Sequence, residues 1–221
     1  SEAGKIDINI SELHIEGILS PEGGRTRLDE EYRMIKRPLL VRAFSEDDTG
    51  ALLNLIMVSS AASGEGTTFT SMNLAISIAM EMDRTVLMVD ADLAKPTLSR
   101  LLGVSDRPGF TECLKDENLD LGQYLLRTDV PKLTILPAGR PPDNPSELLS
   151  SERMSELLAE ATVRYHDRLI ILDSPPPAMT AETSVLARWV DGVVIVIKHG
   201  ETPREGVSEV IDKVGRTKII G

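Results

Sequence analysis

Short aliphatic runs punctuate the chain at Leu55–Val58, Val86–Val89, Leu169–Leu172 and Val193–Ile197, with a weaker one at Leu133–Leu136. None alternates apolar with polar positions, which is the pattern of strands buried on both faces. Lys218–Ile220 reads as the start of one more. Between these runs the apolar positions change to helical spacing. Thr68–Met82 carries Met72, Ala75, Ile76, Ala79 and Met80; Ser151–Tyr165 carries Met154, Leu157, Leu158 and Ala161; Glu205–Val214 forms a third such stretch. Strands that alternate with helices build βαβ units, so the expected fold is α/β, with three layers around a mostly parallel central sheet.

Residues 1–50 are more polar and read as a helical N-terminal extension. One helix is expected near Ser11–Leu19, with Ser11 as its N-cap, and a second over about Leu28–Phe44. Ser20–Gly24 and Glu46–Gly50 read as linkers. The expected division is therefore 1–50 and 51–221, without internal repeats.

Composition narrows the functions. A chain of 221 residues with 41% hydrophobic and 27% charged positions buries an ordinary globular core. Aromatic residues are only 3%, and acidic residues outnumber basic ones 35 to 24, for a net charge of −11. Stacking platforms and electropositive surfaces for nucleic acid or anionic membranes are therefore not expected. The single cysteine, Cys113, excludes a disulfide framework and a cysteine zinc site; it reads as a small buried hydrophobe on a short helix. His14, His166 and His199 show no metal-ligand spacing. Trp189, at helix spacing from Leu186, reads as a packing residue, Glu112–Asp120 as a solvated surface, and Pro175–Pro177 as a stiffener of its loop. Ser1–Ile10 lacks the apolar stretch of a signal peptide, and no run approaches the ~20 residues of a membrane helix. A cytoplasmic chain is expected.

Candidate chemistry gathers at three expected strand ends. After the first run comes Ser60-Ala61-Ala62-Ser63-Gly64-Glu65-Gly66-Thr67-Thr68, a glycine-rich turn feeding a helix. Such a turn aims several backbone N–H groups and the positive end of the helix dipole at one point, which suits a phosphate. The P-loop pattern G/A-x4-G-K-S/T starts at Ala61 and meets Thr67 where lysine belongs. Read alone, the loop is as well explained as a glycine turn. The second run ends in Val89-Asp90-Ala91-Asp92, and a later one in Leu172-Asp173-Ser174-Pro175-Pro176. Open α/β sheets bind ligands at the carboxyl ends of their strands. Carboxylates beside a phosphate cradle suit Mg²⁺, which takes oxygen ligands and keeps water. Taken singly, Asp90, Asp92 and Asp173 read as caps of the turns after them. Together with the glycine loop, in that order, they point to a nucleotide site.

These motifs resemble the bacterial tyrosine kinases linked to exopolysaccharide export, deviant P-loop ATPases whose cousins are partitioning and septum-positioning ATPases. Ala61–Thr68 is similar to the family's Walker A motif, Val89–Asp92 to its Walker A′ and Leu172–Pro176 to its Walker B. Asn144–Leu149, Asp191–Val194 and Glu31–Pro38 resemble further family segments, and the resemblance runs from about Leu28 to the end. It implies a P-loop NTPase fold and an ATP-dependent protein-tyrosine autokinase regulating exopolysaccharide synthesis and export. It further implies that Ser63, Gly64, Glu65, Gly66, Thr67, Thr68 and Phe69 bind ATP. Thr68, Asp90 and Asp173 would hold Mg²⁺ directly or through water. Asp92, with Asp90, would serve catalysis, Asp92 accepting the tyrosine proton. Glu30, Arg33 and Lys36 resemble the E-x2-R-x2-R segment that packs one subunit of a homo-oligomer on the next. The other implied partner is a membrane-embedded polysaccharide chain-length regulator, which would hold the chain at the inner face of the plasma membrane.

Three positions depart from the family pattern. Thr67 replaces the lysine that reaches the transferred phosphate, so catalysis needs charge from Lys95, Arg100, or a neighbouring subunit's Arg33 or Arg37. Ala94 stands where Walker A′ usually has arginine. Lys36 closes the oligomer segment in place of arginine, keeping the charge without bidentate pairing. Thr67 keeps a nucleotide-binding pseudokinase or scaffold open as an alternative. A partitioning-type ATPase is disfavoured because Ala62 occupies the place of those proteins' signature lysine. The tyrosines, Tyr32, Tyr124 and Tyr165, read as packing residues. The family's tyrosine-rich substrate tail is accordingly expected to lie outside this chain.

Overall fold

Both faces of the aliphatic runs are covered by helices, which is why the runs show no polar alternation. The computed structural model describes residues 6–24, 26–45, 53–164, 168–175 and 181–221. After a 3₁₀ turn over Ile10–Leu13 come α1 (Arg27–Ala43), β1 (Leu55–Ser60), α2 (Thr67–Ala79) and β2 (Thr85–Asp90). The middle of the chain holds α3 (Thr97–Leu101), α4 (Phe110–Lys115), β3 (Leu126–Arg127), β4 (Leu133–Leu136) and α5 (Pro145–Leu149). The remainder comprises α6 (Glu152–Arg164), β5 (Arg168–Asp173), α7 (Glu182–Trp189), β6 (Gly192–Val196) and α8 (Arg204–Val214). The expected linker Glu46–Gly50, together with Tyr165, His166, Pro176 and Pro177, lies outside the described residues.

The sheet runs in the order β3-β4-β2-β5-β1-β6, parallel throughout except for the β3–β4 edge pair. β5 thus lies between β1 and β2, with Val58 and Asp90 each in register with Asp173. That register sets the glycine loop and both aspartate motifs side by side at the carboxyl edge. Within β1, Ile56 and Val58 enter one core with Met72, Leu74 and Ile76 of α2 and Leu39 of α1. Leu55 and Met57 face the other core, with Phe110, Met154, Leu157, Leu186 and Val210. Cys113 is fully buried there, and burial pushes its thiol up to about 12, so it is an inert packing group. Trp189 packs against the same core, its Nε1–H donating to the Leu149 carbonyl at 3.1 Å.

Helix α1 starts at a capping box. The Thr26 Oγ1 accepts from the Asp29 N–H at 3.2 Å, and the Asp29 carboxylate accepts from the Thr26 N–H at 2.8 Å. α1 lies on α2. Tyr32 is buried, within hydrogen-bonding reach of the Thr70 and Asn73 side chains, and burial raises its hydroxyl above the ordinary value. Among the three charged residues of the resemblance segment, Glu30 and Arg33 are surface partners at 3.0 Å. Lys36 is not on that surface. It is buried in the α1–α2 seam, its Nζ donating to the Ser77 carbonyl and pairing with Glu81, both at 2.6 Å.

The helix expected over Ser11–Leu19 is replaced by the single 3₁₀ turn, with Asn9 and not Ser11 at its N-cap. The cause is a distant carboxylate. Asp129 accepts the Ile10 N–H at 2.7 Å and the Ser11 N–H at 3.0 Å, while His14 turns left-handed at φ 48° and stops propagation. The segment then crosses to α2, where buried Asn73 accepts from the Leu19 N–H and donates to the Gly17 carbonyl. Near the other end, the expected strand over Lys218–Ile220 is reduced to a single isolated bridge. Arg216–Lys218 is a 3₁₀ turn, and Ile219 then bridges Val193 in parallel at the edge of β6.

Glu112 is not simple solvated surface either. Its carboxylate accepts the Gly109 N–H at 2.7 Å, closing the start of α4. Gly109 itself touches the end of β4, where a Cβ would stand 2.0 Å from the Pro137 carbonyl oxygen. Gly109→Ala is therefore expected to cost a few kcal/mol and lower the melting temperature by about 5–10 °C. A melt followed by circular dichroism checks this, and a shift under ~2 °C would mean that the β4–α4 junction gives way freely.

Candidate nucleotide site

The glycine loop leaves β1 and enters α2 through residues whose conformation only glycine adopts at low cost. Gly64 and Gly66 have φ +84° and +93°, while a Cβ on either would meet nothing within 4 Å, so backbone handedness and not space demands glycine. Gly66 is the N-cap of the 13-residue helix α2 and supplies no capping side chain. The first-turn amides of Thr67, Thr68 and Phe69 consequently remain available to an anion at the positive end of the dipole. Glu65 points elsewhere. Its carboxylate accepts the Ala62 N–H at 2.8 Å and the Thr202 hydroxyl, tying the loop to the segment before α8.

Three carboxylates close in from β2 and β5. Asp173 is buried at the end of β5, its Oδ2 accepting from Thr68 Oγ1 at 2.7 Å and its Oδ1 from Ser71 Oγ at 3.0 Å. Burial first, then repulsion from Asp90, pushes its pKa up to about 7. Asp90 is fully buried, and burial likewise raises it, to about 6. Its Oδ2 accepts both the Ser99 N–H (2.8 Å) and the Ser99 hydroxyl (2.7 Å), and its Oδ1 the Asp92 N–H at 3.3 Å. Asp92 is half-exposed, holds the Lys95 N–H at 2.9 Å, and is raised by partial burial and then by the charge of Glu182.

These groups border a cavity of about 510 Å³. Ser63, Gly64, Gly66, Thr67, Thr68 and Phe69 form its loop side; Asp92, Lys95 and Arg100 line it from the segment after β2; Asp173 and Pro175 line it from the end of β5. Of the site residues read from the sequence, Glu65 and Asp90 do not line this space. Two further residues belong to the arrangement. Ser71 lies one helical turn beyond Thr68, a spacing the sequence contains. Ser99 reaches Asp90 across nine positions, for which no local pattern exists.

The donors fit Mg²⁺ accompanied by a nucleotide. A hydroxyl and a carboxylate are hard oxygen ligands, and Mg²⁺ fills its remaining positions with phosphate oxygens and water. Among the described residues no group of three or more His, Cys, Asp or Glu side chains could hold a metal by itself. Such a site needs its ligand's phosphates.

Comparison with known proteins gives this geometry a lineage. The AAA domain model matches residues 53–219. Tyrosine-protein kinase YwqD of Bacillus subtilis is 32% identical over 194 residues, covering 87% of this chain and 78% of YwqD. The chain belongs to the bacterial tyrosine-protein kinase family. Within that family it also matches tyrosine-protein kinase wzc of Salmonella typhi at 32% over 146 residues, but spans only 20% of that longer protein. Among solved structures, the kinase domain of the Escherichia coli tyrosine kinase ETK superposes with a TM-score of 0.77 at 26% identity, over 98% of this chain and 88% of that one. A cobyrinic acid a,c-diamide synthase from Mycobacterium smegmatis, solved with an ATP analogue and magnesium, shares the fold at a TM-score of 0.60 and 21% identity, with coverage of 76% and 72%. The α/β architecture with its parallel sheet is thus that of P-loop NTPases, a fold that holds nucleotide and magnesium in general. In this member of the kinase family, no described helix is long and apolar enough to cross a membrane.

Proposed function

We propose that this chain is the nucleotide-binding core of a tyrosine kinase serving exopolysaccharide synthesis and export, transferring the terminal phosphoryl group of ATP to a tyrosine hydroxyl. The observation that carries the reading is the cavity in which the loop amides, Thr68, Asp92 and Asp173 meet. Ser63–Phe69 cradle the phosphates. Thr68 and Asp173 hold Mg²⁺, which supplies charge neutralisation when bound with ATP. Asp92, half-exposed at the cavity wall, takes the proton as the tyrosine oxygen bonds to phosphorus and the bond to the bridging oxygen of ADP breaks. Asp90 is better assigned to positioning, since Ser99 and the Asp92 N–H occupy both its oxygens. The exposed Glu30–Arg33 side of α1 serves contact with further copies, and a membrane-embedded chain-length regulator holds the chain at the inner face of the plasma membrane.

Incubation with labelled ATP, Mg²⁺ and a tyrosine-bearing acceptor peptide tests the reading, with phosphotyrosine as the expected product. Thr67 specifically favours a second reading, a nucleotide-binding scaffold. Tight Mg-ATP binding without any phosphotyrosine, at every protein concentration, would select it.

A further inference from the structure

Thr67 leaves the cavity without the ammonium that a P-loop aims at the terminal phosphates, yet the segment after β2 brings cations to the same space. Lys95 and Arg100 both line it, whereas the chain's own Arg33 and Arg37 line a separate recess with Asp29, Ser77 and Glu81. The two candidate cations differ in what already holds them. Lys95 is tied to Asp92 Oδ1 through its backbone N–H at 2.9 Å, and its positive charge also favours the ionised form of that carboxylate. Arg100 Nη2 instead donates to the neutral Thr97 hydroxyl at 3.1 Å, a bond easily exchanged for a charge-assisted one.

The backbone beneath Arg100 is well anchored. Ser99 is buried, gives both its N–H and its hydroxyl to Asp90, and accepts the Ala138 N–H at 2.9 Å. α3 is thereby fastened to β2 and to the end of β4, and the guanidinium starts from a fixed point on the cavity wall. A planar, permanently charged fork also suits phosphate geometry better than a point charge does.

We propose that Arg100 takes over the role of the absent P-loop lysine, gripping the terminal phosphate of ATP from α3. The inference rests on reading the cavity as a nucleotide site. Arg100 leaves Thr97 for ATP and remains on it when ADP binds, so the residue sets the preference for triphosphate over diphosphate.

Calorimetry on the full chain with Mg²⁺ and either a non-hydrolysable ATP analogue or ADP tests this. Arg100→Ala is expected to weaken the ATP analogue by about 10- to 100-fold and ADP by less than about threefold. Arg100→Lys should recover part of the loss. In a Thr67→Lys background the same Arg100→Ala change should cost far less, because the restored lysine covers the phosphate. An unchanged melting temperature shows that the exposed substitution leaves the fold intact. The proposal is overturned by equal loss for both nucleotides, by no loss, by equal loss in both backgrounds, or by the ATP-selective loss appearing in Lys95→Ala and not in Arg100→Ala. A parent chain that binds neither nucleotide overturns the nucleotide-site reading as well. Binding with an ATP/ADP ratio insensitive to Arg100 overturns the Arg100 assignment alone.

Discussion

Thr67→Lys is expected to speed tyrosine phosphorylation by about 10²-fold at saturating Mg-ATP. One transition-state donor in a preorganised site is worth roughly 10²–10³ in rate, and Arg100 already supplies part of that charge, which places the gain near the lower bound. The substitution suits its position. Residue 67 opens α2, is only half-buried and borders the cavity, so a longer side chain extends into open space without displacing the core. Lysine also forms helix at least as well as threonine. Because the gain is electrostatic and confined to the reacting phosphate, kcat should rise far more than the affinity for ADP. Rates measured with labelled ATP across a substrate series, beside ADP binding by calorimetry, separate the two. A variant no faster than its parent would falsify the idea that the missing lysine limits the proposed phosphoryl transfer.

The parts of this site that the sequence makes legible are those written locally. Gly64, Gly66, Thr68, Asp90, Asp92 and Asp173 each sit at a strand end within a short motif, and aliphatic runs such as Leu169–Leu172 announce strands covered on both faces. Features set by distant partners escape. Lys36 reads as a surface charge until Ser77, 41 positions away, appears as its acceptor. The supposed helix at Ser11 fails because Asp129 takes its amides, the Ile10 N–H from 119 positions on. Glu65 belongs to the motif as a residue but commits its side chain to Thr202. Short elements escape for another reason. α3 and α5 have five residues each and β3 has two, too few for periodicity to accumulate. Yet α3 carries Ser99 and Arg100, so the weakest pattern in the chain holds the residues that organise one wall of the cavity.

Asp173→Asn should stabilise the ligand-free fold while abolishing its response to Mg-ATP, and these opposite effects share one cause. The carboxyl is buried, lies near Asp90, and has its pKa raised from 3.8 to about 7. A folded-state pKa above the unfolded one means that the charged form is disfavoured by folding. No penalty exists below pH 4, where both states are protonated; it grows between pH 4 and 7 and is complete above about 7. Its size is on the order of a few kcal/mol. Asparagine removes the charge, keeps one oxygen to accept from Thr68 or Ser71, and lets the other hydroxyl rotate to accept from its amide. The ligand-free variant should therefore melt several degrees higher than the parent at pH 8, with the difference closing as the pH falls toward 4. Adding Mg-ATP should raise the parent's melting temperature and leave the variant's unchanged, since a neutral amide does not offset the cation's charge. Thermal melts at both pH values, with and without Mg-ATP, read all four quantities. A variant that melts lower than its parent at pH 8 without ligand would show that Asp173 stabilises the fold as an ion. A preserved Mg-ATP shift would remove it from the metal site. A firmer fold with a deaf site is the joint outcome expected of a carboxylate kept, against the stability of the fold, for the metal it is proposed to hold.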